Sequence, residues 1–166
     1  MTDISEENKQ PEYIQIDGGL RLAKFKGKYD FALKWYLDEE TVKLVDGVSK
    51  SYDEEKLSRM YNYLNGKGEL YFIEIKEKNE YKPIGDVTFW QQDMPIVIGD
   101  KAYRGMGIGY KVIMILSKRA EELGYDKIYV DEIYSYNIAS QKTFEKAGFK
   151  AFLQKEKGCS YVKEIV

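Results

Sequence analysis

The stretch Arg104-Gly105-Met106-Gly107-Ile108-Gly109 lies between an apolar run, 94–98, and a stretch with helical spacing, 110–123. Glycine lets the main chain approach a ligand closely and adopt positive φ. The first N–H groups of a helix have no partner inside the helix, and the helix dipole places partial positive charge there. The segment therefore predicts a loop whose amides bind a diphosphate, with Arg104 as an added cation.

Two alternatives apply to this loop. One is a tight strand-to-helix connection without a ligand. The other is the dinucleotide-binding turn of NAD or FAD proteins, whose third glycine would fall on Tyr110 or Val112 here. Too little chain follows for the further βα units of such a domain, so NAD is disfavoured.

A second motif occupies residues 137–149, with the sequence N-I-A-S-Q-K-T-F-E-K-A-G-F. Asn137 is a favourable N-cap and Gly148 a favourable C′ residue, which predicts a helix over 138–147. Its buried side is predicted to comprise Ala139, Thr143 and Phe144. Asn137 and Ser140 shape this helix, contact a bound cofactor, or do both.

The two motifs together resemble the GNAT superfamily of N-acetyltransferases over roughly residues 73–153, in particular its ribosomal-protein-alanine and aminoglycoside 6′-N-acetyltransferase branches. The resemblance implies one α/β domain with a mixed, mostly antiparallel sheet, flanked by helices and splayed between its fourth and fifth strands. It implies acetyl-CoA as co-substrate, with the pantetheine arm lying in the gap like an extra strand.

The resemblance also implies a set of contacts with acetyl-CoA. The splayed strand ends at Val97-Ile98-Gly99, and the main-chain N–H of Gly99 is expected to donate to the thioester oxygen; a plain turn at 99–101 is the alternative. The expected cofactor-binding residues are Val97, Ile98, Gly99, Arg104, Gly105, Met106, Gly107, Ile108, Gly109, Tyr110, Asn137, Ser140 and Phe144.

Acetyl transfer to an amine needs a base, because a lysine-like amine is protonated at pH 7. Glu132 is the predicted base. It lies on the fifth strand of the family fold, five residues before Asn137, the offset at which aminoglycoside 6′-N-acetyltransferases carry a catalytic Asp. Asp131 and Asp86 are the alternatives.

The expected proton donor departs from the family pattern. Many members place a tyrosine seven residues after the motif asparagine, and here that position is Phe144. Either another tyrosine substitutes, or the thiolate leaves without a dedicated acid, since a thiolate is a tolerable leaving group at neutral pH. The tyrosines near in sequence are Tyr134, Tyr136 and Tyr161.

The acceptor is suggested by the N-terminal third of the chain. Trp35, Asp38, Val42 and Gly47 resemble the early W-x-x-D helix of the same two branches. Acidic residues are concentrated over 38–55, which suits a cationic amine; a solvated helix face is the alternative. The predicted acceptor is a small cationic amine, an aminoglycoside or a protein N-terminus. The alternative function is a non-catalytic acyl-CoA-binding or sensing module.

Composition narrows the class of protein further. A chain of 166 residues with 43% hydrophobic residues suits one domain, 1–166, with 1–10 as a flexible tail. A net charge of −2 argues against nucleic acid as a partner. The absence of a long apolar run and the polar N-terminus predict a cytoplasmic protein without membrane association. The resemblance adds homodimerisation as an expectation.

Histidine is absent and Cys159 is the only cysteine. This excludes Ser-His and Cys-His nucleophile systems and the usual zinc sites, so no metal is expected.

Local patterns predict the order of elements along the chain. Ser51 and Glu54 are predicted to form a capping box for a helix that Gly66 ends. The predicted strands are 13–17, 20–25, 70–76, 83–91, 94–98, 127–133, 150–155 and 160–165, and the predicted helices are 29–37, 39–45, 55–64, 108–123 and 138–147.

Overall fold

The computed structural model describes residues 9–47 and 50–165. Within these residues the strands form a five-stranded sheet, β1-β2-β3-β4-β5, and a three-stranded sheet, β6-β8-β7. All pairings are antiparallel. The strands are β1 Tyr13–Asp17, β2 Leu20–Lys24, β3 Glu69–Glu77, β4 Glu80–Phe89, β5 Ile96–Ile98, β6 Lys127–Tyr134, β7 Lys150–Gln154 and β8 Gly158–Glu164.

The helices flank these sheets, as predicted for a mixed α/β domain. They are α1 Leu33–Tyr36, α2 Glu39–Asp46, α3 Glu54–Lys67, α4 Ile108–Glu122 and α5 Ile138–Lys146, with short 3-10 turns at Asp30–Ala32 and Lys101–Tyr103. In the described part of the chain, no helix has both the length and the apolar character needed to cross a bilayer.

Strand β3 separates two cores. Because side chains alternate across a strand, Tyr71 and Ile73 pack in one buried cluster, whereas Leu70 and Phe72 pack in the other. The first cluster includes three residues of α4 that lie four positions apart, on one face of the helix: Val112, Leu116 and Ala120. The second is an aromatic cluster that α1 and α3 build with β3: Trp35, Tyr36, Tyr61 and Phe72 among others. Helices therefore cover both faces of the larger sheet.

The predicted splay separates β5 from β6, the strands that end at Ile98 and begin at Lys127. They are the fifth and sixth strands along this chain. Near the β4–β5 turn the two sheets remain joined, since the Tyr129 N–H donates to the Gln91 carbonyl over 2.9 Å. The gap is therefore a V whose open end faces the glycine-rich loop.

The start and end of α3 differ from the prediction. Its N-cap is Asp53, whose carboxylate accepts the Lys56 N–H over 2.8 Å, so the predicted Ser51–Glu54 capping box is wrong. The helix also continues through Gly66, and its C-cap is Gly68. Asp caps as well as Ser does, so the pattern alone could not choose between the two positions.

Candidate active site

The glycine-rich loop has a backbone that requires glycine. Gly105 has φ +75° and Gly107 has φ +78°, which is the left-handed region. A Cβ at either position would have no atom within 4 Å other than those of its own and the two adjacent residues. The main chain of the loop therefore lies open beside the first turn of α4.

Helix α4 begins without a side-chain cap. Its N-cap is Gly107, whereas α2, α3 and α5 are each capped by a side-chain oxygen. In α2, Asp38 accepts the Thr41 N–H over 3.0 Å. In α3, Asp53 accepts the Lys56 N–H over 2.8 Å, and in α5, Asn137 accepts the Ser140 N–H over 3.2 Å. The first amides of α4 are thus left for an anion or water.

A cleft of about 790 Å³ lies between the arms of the V. It brings together most of the predicted cofactor-binding residues with the candidate base Glu132. The predicted residues that line it are Val97, Ile98, Arg104, Gly105, Gly107, Ile108, Gly109, Tyr110, Asn137, Ser140 and Phe144. Met106 is 61% exposed and does not line it.

Gly99 packs against the indole of Trp35 and is not among the lining residues. A Cβ on Gly99 would lie 2.2 Å from Trp35 Cγ, so any other residue would displace β5 from α1. Trp35 is 2% exposed. Close packing against a buried indole therefore explains the glycine at this position.

The Arg104 side chain folds back onto its own chain. Nε donates to the Ile98 carbonyl and Nη2 donates to Thr41 Oγ1, each over 2.8 Å. The guanidinium thus joins the end of β5 to α2.

Charges are separated along the cleft. The lining cations, Arg104, Lys142 and Lys146, come from the glycine-rich loop and from α5. The loop and α5 are neighbours, since a Cβ on Gly109 would lie 3.6 Å from the Thr143 methyl carbon. The lining carboxylates, Asp46, Asp93, Asp131 and Glu132, come from α2, the β4–β5 turn and β6. One side of the cleft therefore suits an anion and the other a cation.

A bulge in β6 sets the position of Glu132. Val130 pairs with Tyr161 and Ile133 with Cys159, so β6 has one residue more than β8 between these pairs. Val130 and Ile133 can then both be buried, while Glu132 lines the cleft. Asp131, the neighbouring alternative, also lines the cleft and is exposed, with its Oδ1 2.9 Å from Lys155 Nζ.

Asp86, the third candidate base, is buried on β4 and does not line the cleft. Its Oδ2 accepts the hydroxyls of Tyr36 and Tyr61 over 2.6 and 2.9 Å. Burial raises the pKa of Asp86 to about 6, although the two tyrosine hydrogen bonds act in the opposite direction. Asp86 is thus part of the aromatic core.

Asp86 makes folding stability depend on pH. The folded-state pKa of Asp86 lies above the ordinary value of 3.8, so the folded protein favours the protonated carboxyl. The stability that this protonated form contributes is present at low pH and is lost as the pH rises through 6. We expect the free energy of unfolding of the wild type to fall by about 2 to 3 kcal/mol relative to Asp86→Asn between pH 4 and 7. Urea unfolding of both proteins across this range measures it. Parallel pH profiles would show that Asp86 titrates normally.

One of the three candidate tyrosine acids lines the cleft. Tyr134 does, and burial raises its pKa, which keeps the hydroxyl protonated at neutral pH. Tyr136 donates its hydroxyl to the Lys43 carbonyl over 2.6 Å, and Tyr161 is buried in the core. Phe144 is also buried, edge-on to Phe149.

Helix α5 caps and packs partly as predicted. Asn137 caps it, and Phe144 is buried. The prediction that Ala139 and Thr143 are buried is wrong, because both line the cleft and Ala139 is exposed. The buried face of α5 is narrower than its apolar pattern predicted, because the side with Ala139 and Thr143 lies next to the open cleft and no strand covers it.

Residues of the site that were not predicted from sequence include Thr41, Tyr52 and Asp93. Tyr52 donates its hydroxyl to Asp46 Oδ2. Asp93 Oδ1 accepts the N–H groups of Met94 and Asp131 over 2.9 and 3.1 Å, at the closed end of the V. Asp46 was predicted only as one of the acidic residues in the segment 38–55. Residues 9–47 and 50–165 contain no group of three potential ligand side chains placed to hold a metal.

Comparison with known proteins gives the family. The model of the acetyltransferase (GNAT) family matches residues 30–149, and the chain therefore belongs to this family. Comparison with curated protein sequences gives no significant match.

Solved structures share the fold at low sequence identity. A domain from Methanocaldococcus jannaschii DSM 2661 has a TM-score of 0.76 and 20% identity, covering 89% of this chain and 99% of that chain. A GNAT-family acetyltransferase from Bacillus anthracis has a TM-score of 0.72 and 16% identity, covering 92% and 98%. The aminoglycoside acetyltransferase AAC(6')-Ib, in complex with coenzyme A and kanamycin, has a TM-score of 0.67 and 16% identity, covering 87% and 94%.

Proposed function

We propose that this protein transfers the acetyl group of acetyl-CoA directly to a primary amine in a ternary complex. The observation that carries the proposal is that one cleft joins an uncapped helix start to a carboxylate, Glu132. The amides after Gly105 and Gly107 would hold the diphosphate. Lys142 and Lys146 line the same side of the cleft and would add positive charge.

Acetyl-CoA supplies an acyl group activated as a thioester. Glu132 would accept the proton that the ammonium group must lose before its nitrogen can attack the carbonyl carbon. Although Gly99 itself does not line the cleft, it directly follows the lining residue Ile98 at the end of β5, and its main-chain N–H is the proposed donor to the carbonyl oxygen as negative charge develops there. The C–S bond then breaks, and the sulfur leaves with the electron pair and takes the hydroxyl proton of Tyr134. The nitrogen, positively charged after its attack, loses a second proton, which returns to the Tyr134 oxygen and leaves a neutral amide and a neutral tyrosine.

A cationic amine is the acceptor that the charges favour. Four carboxylates line one side of the cleft: Asp46, Asp93, Asp131 and Glu132. Asp46 and Asp131 are ion-paired with Lys56 and Lys155, so the negative potential that would concentrate an ammonium group there comes mainly from Asp93 and Glu132. The solved complex of AAC(6')-Ib with kanamycin is a reason to include aminoglycosides among the amines tested.

Thiol release from acetyl-CoA with a panel of amines tests the proposal. The panel comprises spermidine, kanamycin and a peptide with a free N-terminus, and a thermal shift with coenzyme A runs alongside it. Turnover on at least one amine is the expected result. Stabilisation by coenzyme A without turnover on any amine would instead favour the non-catalytic binding module.

Tyr134→Phe is expected to lower kcat about 10-fold and to leave the affinity for coenzyme A unchanged. The effect is modest for a general acid, because the leaving thiolate is already stable at neutral pH. Tyr161→Phe is the matched control, since that ring is buried in the core and does not line the cleft. Steady-state kinetics measures both. A kcat equal to that of the wild type in Tyr134→Phe would show that the thiolate leaves without this donor.

A further inference from the structure

Two cations tie the segment before α4 to the first turn of α2. The 3-10 turn Lys101–Tyr103 ends at Arg104, whose N–H donates to the Lys101 carbonyl over 3.2 Å. Lys101 Nζ lies 2.9 Å from Asp38 Oδ1, and Arg104 Nη2 lies 2.8 Å from Thr41 Oγ1. Both side chains therefore reach the same helix start.

Thr41 connects the two cations. Its Oγ1 accepts from Arg104 and donates to Asp38 Oδ2 over 2.8 Å, and the same carboxylate oxygen accepts its N–H. Thr41 is 1% exposed, so the bond to Arg104 is shielded from water and costly to leave unmade. Since Arg104 Nε also donates to the Ile98 carbonyl, one guanidinium links α2 to β5.

The other end of α2 is attached to the opposite arm of the V. The Tyr136 hydroxyl, just after β6, donates to the Lys43 carbonyl over 2.6 Å. Gly47, the C-cap of α2, lies beside the stacked rings of Tyr134 and Tyr136. Between the two attachments, α2 contributes Asp46 to the cleft.

We propose that Arg104 is a positioning residue, which couples occupancy of the glycine-rich loop to the position of α2 and so to the acceptor side of the cleft. The proposal rests on the proposed function, because it takes the loop ligand to be coenzyme A. A diphosphate held by residues 105–109 orders the segment that Arg104 begins. Less conformational entropy is then lost in keeping the bond to Thr41.

Hydrogen exchange with and without saturating coenzyme A tests the coupling without an acceptor amine. In the wild type, the ligand should slow exchange over both 105–111 and 39–46, by about fivefold or more in α2. Thr41→Val removes the hydroxyl while keeping nearly the same shape, and it should retain the protection of the loop but lose that of α2. Thr41→Ser keeps the hydroxyl and should behave as the wild type.

Arg104→Lys provides a second variant. It keeps the positive charge, but an ammonium group cannot reproduce the fixed pair of donors to Ile98 and Thr41. It should therefore match Thr41→Val, with the affinity for coenzyme A within about twofold of the wild type. Arg104→Lys therefore tests the coupling even if Thr41→Val fails to fold.

The outcomes are distinct. Two results would overturn the coupling. One is protection of α2 by coenzyme A that is equal in the wild type, Thr41→Val and Arg104→Lys. The other is protection of 105–111 without protection of α2 in the wild type. A loss of affinity for coenzyme A greater than about tenfold in Arg104→Lys would make Arg104 a diphosphate ligand instead. No protection of 105–111 in the wild type would reject the proposed function itself.

Discussion

Gly107→Asp is expected to lower the affinity for coenzyme A by at least about 100-fold. The Cβ would point into open space beside the uncapped start of α4, where the diphosphate is proposed to lie. A unit charge about 4 Å from a phosphate repels it by about 4 kcal/mol at an effective dielectric constant of 20, and each 1.4 kcal/mol is tenfold in affinity. Isothermal titration calorimetry measures the loss.

Gly107→Asn separates charge from backbone strain. Asn and Asp have the same shape, and both tolerate the left-handed conformation that Gly107 adopts at φ +78°. The asparagine variant should bind coenzyme A more weakly than the wild type but at least about tenfold more tightly than Gly107→Asp. Equal affinities in the two variants would show that no anion rests against this turn.

Glu132→Gln is expected to lower kcat by about 10²- to 10⁴-fold, the usual contribution of a general base. Glutamine keeps the size of the side chain in the cleft but cannot accept the proton of an ammonium group. The affinity for coenzyme A should stay within about twofold, because Glu132 lies on β6 away from the glycine-rich loop. Single-turnover kinetics with an amine substrate, together with calorimetry, separates the two quantities.

Asp131→Asn is the matched control for this experiment. Asp131 is adjacent in sequence and lines the same cleft, but it is exposed and ion-paired with Lys155. We expect its kcat to stay within about threefold of the wild type, the scale on which an exposed ion pair acts. A collapse of kcat in Asp131→Asn with normal turnover in Glu132→Gln would move the base to Asp131.

Features that depend on a few neighbouring residues could be predicted from the sequence. The positive φ of Gly105 and Gly107 and the start of α4 follow from glycine spacing ahead of an apolar stripe. The cap of α5 at Asn137 follows from side-chain chemistry within three residues. These properties are local, so the order of helices and strands was predicted with small errors at their ends.

Features that depend on contacts between distant segments could not be predicted in this way. Arg104 reaches Thr41 across 63 positions of the chain, so its spacing within the loop motif gave no sign of that partner. The packing of Gly99 on Trp35 is equally non-local. The bulge that brings Glu132 into the cleft depends on the register between β6 and β8, which the sequence of β6 alone does not contain.

The start of α4 has no side-chain cap, and under the proposed function the bound coenzyme would supply the missing hydrogen-bond acceptor. A side-chain cap is worth about 1 kcal/mol to a helix, and α2, α3 and α5 each have one. If coenzyme takes that place in α4, its binding free energy adds directly to resistance against unfolding. The resistance of the protein to thermal unfolding and to proteolysis would then increase with the concentration of acetyl-CoA or coenzyme A in the cell.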